Sequence, residues 1–154
     1  MMEHAITMNI STATNKMRHI FVDTWAWYAL TDRNDADHLI AEATNRQLIE
    51  ERHIFVTTNY VLSETVTLVR YKLYRAVAVQ FWKTTKQLIG SGLVKLIRVS
   101  ALQEEHAWEI FEQYNDQDFS FTDCTSFAVM KELKLSRVFT GDDHFATMGF
   151  VLVP

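Results

Sequence analysis

Four acidic residues stand where apolar, strand-like runs end or helical segments begin: Asp23, Glu64, Asp123 and Asp142. Asp23 closes His19-Ile20-Phe21-Val22, Asp123 follows Phe119-Ser120-Phe121-Thr122, and Asp142 follows Arg137-Val138-Phe139-Thr140 across a glycine. Glu64 interrupts the mostly apolar run from Tyr60 to Val69, and its helical neighbours Tyr60, Val61 and Leu68 direct its carboxylate toward packed surface. Burying a charge there is costly unless something positive compensates it. Carboxylates gathered at one sheet edge are a site for Mg2+ (or Mn2+), a hard cation that prefers oxygen ligands and keeps several waters. Such an ion lowers the pKa of a water, orients it toward a phosphodiester and stabilises the leaving oxygen, so no nucleophilic side chain is required.

The elements that must position these groups alternate. Apolar or β-branched runs predict strands at 19–22, 54–57, 94–99, 137–140 and 151–153, and helical patterns fill about 25–52, 58–71, 74–89, 100–114 and 122–133. Gly90-Ser91-Gly92 ends the 74–89 helix, Ser100 with Gln103 forms a capping box, and Thr122 is the expected cap of the next helix. This alternation predicts an α/β fold, a mostly parallel central sheet covered on both faces. Ligands of such sheets bind beyond the carboxyl ends of the strands, where Asp23 and Asp142 fall.

Composition sets the remaining bounds. A chain of 154 residues with 48% hydrophobic content fits one domain with a core of its own, preceded at residues 1–16 by a polar, aperiodic tail. No apolar run is long enough to span a bilayer and no signal peptide is evident, so a cytoplasmic protein is expected. The single cysteine, Cys124, beside Asp123, allows neither an internal disulfide nor a cysteine zinc site, and reads as a small buried residue. The six histidines show no ligand-spaced pair, and His144, although near the proposed site, reads as structural or surface-exposed. A net charge of −4 argues against a polycationic grip on nucleic acid. Arg70, Lys72, Arg75, Lys83 and Lys86 are nonetheless close in sequence, as a phosphate-steering surface or a plain solvated face.

The pieces Phe21-Val22-Asp23-Thr24, Asn59-Tyr60-Val61-Leu62-Ser63-Glu64, Phe121-Thr122-Asp123 and Thr140-Gly141-Asp142-Asp143-His144-Phe145, in that order, resemble those of PIN-domain ribonucleases, and most of all VapC-type toxins of toxin–antitoxin pairs. The resemblance covers roughly residues 18–154, within a nuclease domain set at 17–154, and implies an α/β/α three-layer sandwich that binds Mg2+ or Mn2+ and cuts RNA. It further implies a cognate antitoxin and a homodimer; the many aromatic residues also favour a dimer, and the second helical pair, including Phe81 and Trp82, is the expected interface. Aligned on Thr140 and Phe145, it favours Asp142 over Asp143 as ligand, leaving Asp143 as an additional or water-mediated one. Thr24, Asn59, Thr122, Ser126 and Thr140 are expected to hydrogen-bond the ligand carboxylates, or else to serve as caps and turn residues. Rival readings are a free-standing RNA-processing nuclease, an interaction module with a vestigial cluster, and an aspartate-nucleophile phosphatase. The phosphatase needs a second aspartate two residues after the first, where Trp25 stands.

Overall fold

The computed structural model describes residues 18–154. The expectation of a separate tail at residues 1–16 lies outside the described residues. Strands β1 (His19–Val22), β2 (Ile54–Thr58), β3 (Val94–Ile97), β4 (Arg137–Phe139) and β5 (Val151–Val153) form one sheet in the order β3-β2-β1-β4-β5. Every pairing is parallel, with Phe21 opposite Val56 on one side of β1 and Val22 opposite Phe139 on the other. The chain walks outward from β1 to β3 and then returns to the other flank of β1, so the order reverses between β1 and β4. That reversal opens a crevice at the carboxyl ends of these two strands.

Right-handed crossovers decide which face each helix covers. Helices α1 (Thr24–Thr31), α2 (His38–Glu50), α3 (Asn59–Lys72) and α4 (Arg75–Ser91) connect strands that progress in one direction and share one face. Helices α5 (Ala101–Gln113), α6 (Phe121–Glu132) and the short α7 (His144–Thr147) lie on connections running the other way and take the opposite face. The contacts agree: α1 packs on α2 and α3, α3 on α4, and α5 on α6. The three-layer α/β/α sandwich holds one main core in which Ile20, Phe21, Val22, Phe127, Val138, Phe139 and Phe145 are essentially inaccessible.

Two local expectations need correction. The helical stretch at 25–52 is two helices, because Asp32 Oδ1 accepts from the Asn34 amide at 3.0 Å and Asp35 Oδ1 from the Asp37 amide at 2.9 Å. Aspartates that bond the backbone two residues on make turns that compete with helix. Buried His38 then ties the start of α2 back to α1, its Nδ1 lying 2.7 Å from the Ala29 carbonyl. The second correction concerns α6, which is capped by Ser120 rather than Thr122: Ser120 Oγ accepts from the Asp123 amide at 3.0 Å. The box at Ser100 and Gln103 is present as expected, and Gly92 ends α4 with a left-handed φ of 84°.

Candidate metal centre

Asp23 leaves β1 as the N-cap residue of α1, in extended conformation, yet its side chain caps nothing. Its carboxylate is turned into the crevice, 3% exposed, where Oδ2 accepts from the Thr140 hydroxyl at 3.0 Å. The Thr140 oxygen also accepts from the Asp142 amide at 3.1 Å. One fully buried hydroxyl thus fixes the exits of β1 and β4 to each other. Asp142 in turn folds its own loop, Oδ1 accepting from the His144 amide at 3.0 Å.

Asp123 arrives from the other face of the sheet. It is the third residue of α6, and its Oδ2 accepts from the Ser120 amide at 3.0 Å while its own amide donates to Ser120, a reciprocal box that locks the side chain. The same Oδ2 lies 3.1 Å from His144 Nδ1, which is also 3.5 Å from Asp142 Oδ1. With both carboxylates ionised, each can only accept, so Nδ1 carries a proton and donates to Asp123. Phe119 packs edge-on against the imidazole, with ring centroids 5.3 Å apart.

Crowding acids in a dry crevice shifts their proton affinities. Burial first, then the Asp123 charge, push Asp23 up to about 7, against the pull of the Thr24 amide and the Thr140 hydroxyl, with Asp142 adding to the rise. Asp123 is also raised, by burial first, although the Ser120 amide and the His144 hydrogen bond favour its ionised form. Burial alone would lower His144; the Asp123 hydrogen bond and the charges of Asp142, Asp123 and Asp118 outweigh it and raise the imidazole. Among the described residues, His144 is the only basic group in an ion pair with these aspartates.

Asp23 feels the charges of Asp123 and Asp142 and is tied to Asp142 through Thr140, while the group whose ligand atoms all lie within 4.8 Å of one another is Asp123, Asp142 and His144. Glu64 is half-buried in the second turn of α3 and lines an adjoining open cleft with Ser63 and Thr122, the residue before Asp123. Its carboxylate faces that cleft rather than packed surface. Asp143 is exposed at the start of α7, outside the cluster in which Asp123, Asp142 and His144 offer ligand atoms within 4.8 Å of one another. Of the five supporting residues, Thr140 bonds Asp23 directly. Asn59 instead accepts from the Val99 amide at 2.8 Å and fastens the end of β3, while Thr122 lines the cleft. Thr24 Oγ1 and Ser126 Oγ are buried with no protein partner. Ser126 sits three residues after Asp123, on the same face of α6.

These features fit a hydrated divalent cation. The donor set is hard oxygen, excess negative charge is buried, and the two orphaned hydroxyls beside Asp23 and Asp123 can bond waters held by an ion. His144, expected to be structural or exposed, belongs to the site. The absence of a second histidine at ligand spacing was no guide to it, since its bonds are to carboxylates. The available signals were its place two residues after Asp142 and the Ser120-x-x-Asp123 spacing. Cys124 is fully buried, and burial raises its thiol to about 11, so it is no nucleophile.

An all-parallel α/β/α sandwich with acids at the switch point is the arrangement of PIN domains, and the PIN-domain family model matches residues 20–151; the chain belongs to this family. It is similar to the 23S rRNA-specific endonuclease VapC20 of Mycobacterium tuberculosis, at 35% identity over 134 residues covering 87% of this chain and 97% of the relative. A VapC ribonuclease of Archaeoglobus fulgidus is 30% identical over 128 residues, covering 81% of this chain and 78% of the relative. The crystal structure of M. tuberculosis VapC20, described as a sarcin–ricin loop cleaving toxin, superposes with a TM-score of 0.75 at 34% identity, covering 86% of this chain and 96% of that one.

Proposed function

We propose that this protein is a metal-dependent endoribonuclease, the toxin of a toxin–antitoxin pair, that cuts a structured loop of ribosomal RNA using Mg2+ or Mn2+. The observation that carries the reading is Asp23: a carboxylate 3% exposed, facing two further acids, with no lysine or arginine paired to it among the described residues. Such an arrangement lowers the stability of the protein alone and is explained by a cation. It also weighs against a vestigial cluster.

Asp23, Asp123 and Asp142 would hold the ion, with Glu64 completing the set from the adjoining cleft. The ion, when bound, supplies Lewis-acid chemistry, making a water acidic enough to attack phosphorus and offsetting charge on the leaving oxygen. The protein does the rest. The Thr140 hydroxyl fixes the Asp23 carboxylate, the Ser120 box and the His144 N–H fix Asp123, and the Thr24 and Ser126 hydroxyls orient water at the site. His144 keeps its Nδ1 proton on the Asp123 side, acting as a positioning residue.

The partners follow from the same reading: an RNA substrate, a cognate antitoxin and a second copy of the chain. Phe81, expected at the dimer interface, is core and packs on Trp27. Trp82 is 42% exposed on α4 in a groove shared with Val79, Arg70, Arg75 and Lys83, which supports this face for the dimer. Among the described residues no helix is long and apolar enough to cross a membrane.

The test is incubation of the purified protein with 23S rRNA in Mn2+ or in EDTA, with primer extension to map cuts. A discrete cut made only with metal, and absent from Asp23→Asn, is expected. Cutting that survives both EDTA and the substitution would overturn the mechanism.

A further inference from the structure

Beside the carboxylate crevice lies a cleft of about 460 Å³ lined by Asn59, Tyr60, Ser63, Glu64, Glu104 and Thr122. Two of its lining residues relate it to the metal centre: Thr122 is the sequence neighbour of Asp123, and Glu64 is a proposed ligand. Its chemistry is different. No lysine or arginine lines it, and the acceptor oxygens of Glu64 and Glu104 repel phosphate. The Glu104 carboxylate is held in place, Oε1 accepting from the Tyr60 hydroxyl at 2.8 Å.

An aromatic surface reaches the cleft through Tyr60, which lines it and packs on Phe121. Phe121 is its centre, with Trp108 at 4.6 Å and 32°, Tyr60 at 6.0 Å and 74°, and Phe111 at 6.4 Å and 87° between ring centroids and planes. Glu104, Trp108 and Phe111 recur at the i, i+4, i+7 spacing of one face of α5. Although packed on Phe121, Trp108 remains 50% exposed and Phe111 40%. A broad ring left in water next to a fixed acceptor pair, at the margin of a phosphodiester site, has the two features that recognise an unstacked nucleobase: a face to stack on and an edge to bond.

We propose that this cleft receives a splayed-out base next to the scissile phosphate, stacked on the Trp108–Phe121 surface, with Glu104 accepting from its amino edge. Guanine matches best, because its N1–H and N2 amine present two adjacent donors to one carboxylate, whereas adenine and cytosine offer a single amino group. This inference rests on the ribonuclease reading and extends it to base choice. The acidity that makes α5 unsuited to phosphate becomes the source of selectivity.

The test separates the cleft from the catalysis. Fluorescence anisotropy with the non-cutting Asp23→Asn protein in EDTA would follow labelled oligouridine hexamers carrying one central guanosine, inosine, adenosine or no replacement. The guanosine RNA is expected to bind about 10-fold tighter than inosine RNA, which lacks only the N2 amine. Glu104→Gln, which keeps an acceptor for Tyr60, should erase that preference, and Trp108→Leu should weaken every RNA by about 10-fold. Equal affinity for guanosine and inosine, or a preference that survives Glu104→Gln, overturns the proposal. Unchanged RNA affinity in Trp108→Leu overturns it too and assigns the aromatic patch to a protein partner. Failure of the nuclease reading looks different: the wild type would leave 23S rRNA intact in Mn2+ while guanosine discrimination persists.

Discussion

Replacing Asp23 with asparagine should make the metal-free protein more stable while destroying its activity. The carboxyl has an ordinary value of 3.8 and rises to about 7 in the fold. Because the folded value is the higher one, the stability gained by protonation is complete below about pH 4 and is lost as the pH rises toward 7. Three pH units at 1.36 kcal/mol each put the cost of the ionised form at roughly 4 kcal/mol near pH 8. Asparagine removes that cost but buries an NH2 group that the existing hydrogen bond from Thr140 does not satisfy, returning about 1–3 kcal/mol. The net gain of about 1–3 kcal/mol corresponds to a rise in Tm of about 3–10 °C for a domain of this size. At pH 5, folded Asp23 is already protonated, so the advantage shrinks by roughly 3 kcal/mol and the order of stabilities levels or inverts. The assay is thermal unfolding of both proteins in EDTA at pH 8 and pH 5, followed by addition of Mn2+ at pH 8, which should stabilise the wild type alone. An asparagine variant no more stable than wild type at pH 8, or an offset identical at the two pH values, would refute the reasoning.

Gly141→Ala should disturb the loop between Thr140 and Asp142, since a Cβ there would sit 2.6 Å from Cε2 and Cζ2 of the Trp25 indole. A rigid ring packed on the core yields only by moving, so a loss of about 1–3 kcal/mol and at least about a 10-fold fall in RNA cleavage are expected. In a Trp25→Ala background the same glycine substitution should cost little; an equal cost there would mean that the ring is not the obstacle. Ser120→Ala removes the hydroxyl that receives the Asp123 amide but leaves the Ser120 amide bonded to the carboxylate. It should cost about 1 kcal/mol in urea unfolding and reduce cleavage without abolishing it, and a complete loss of metal binding would show the cap to be more than a positioning device.

The sheet was legible because its strands are short apolar runs between helices with recognisable ends. Asp23 and Asp142 could be placed at its carboxyl edge for that reason alone. Contacts across the crevice were legible only in part. Thr140, expected to bond a ligand carboxylate, bonds Asp23, but nothing local to His144 announces Asp123, 21 residues away. Glu64 shows the converse: apolar neighbours on a helix suggest a buried carboxylate, yet the first turns of α3 meet an open cleft, and the depth of burial there is set by the distant Glu104 and Thr122. The break between α1 and α2 was written in the Asp32–Asp37 cluster, but turn-forming aspartates and helix-surface aspartates look alike until the backbone bonds are seen.

The Thr140 hydroxyl joins Asp23 to the far flank of the sheet across 117 residues of sequence. A folding intermediate organised only through β1, β2 and β3 owns Asp23 and Glu64 but has neither Asp123 nor Asp142. Long-range parallel pairings of this kind are slow to form, and partly folded species accumulate most readily before they do. On the proposed toxin reading, the topology would act as a safety catch: a molecule that has not closed β4 onto β1 lacks part of the acidic set.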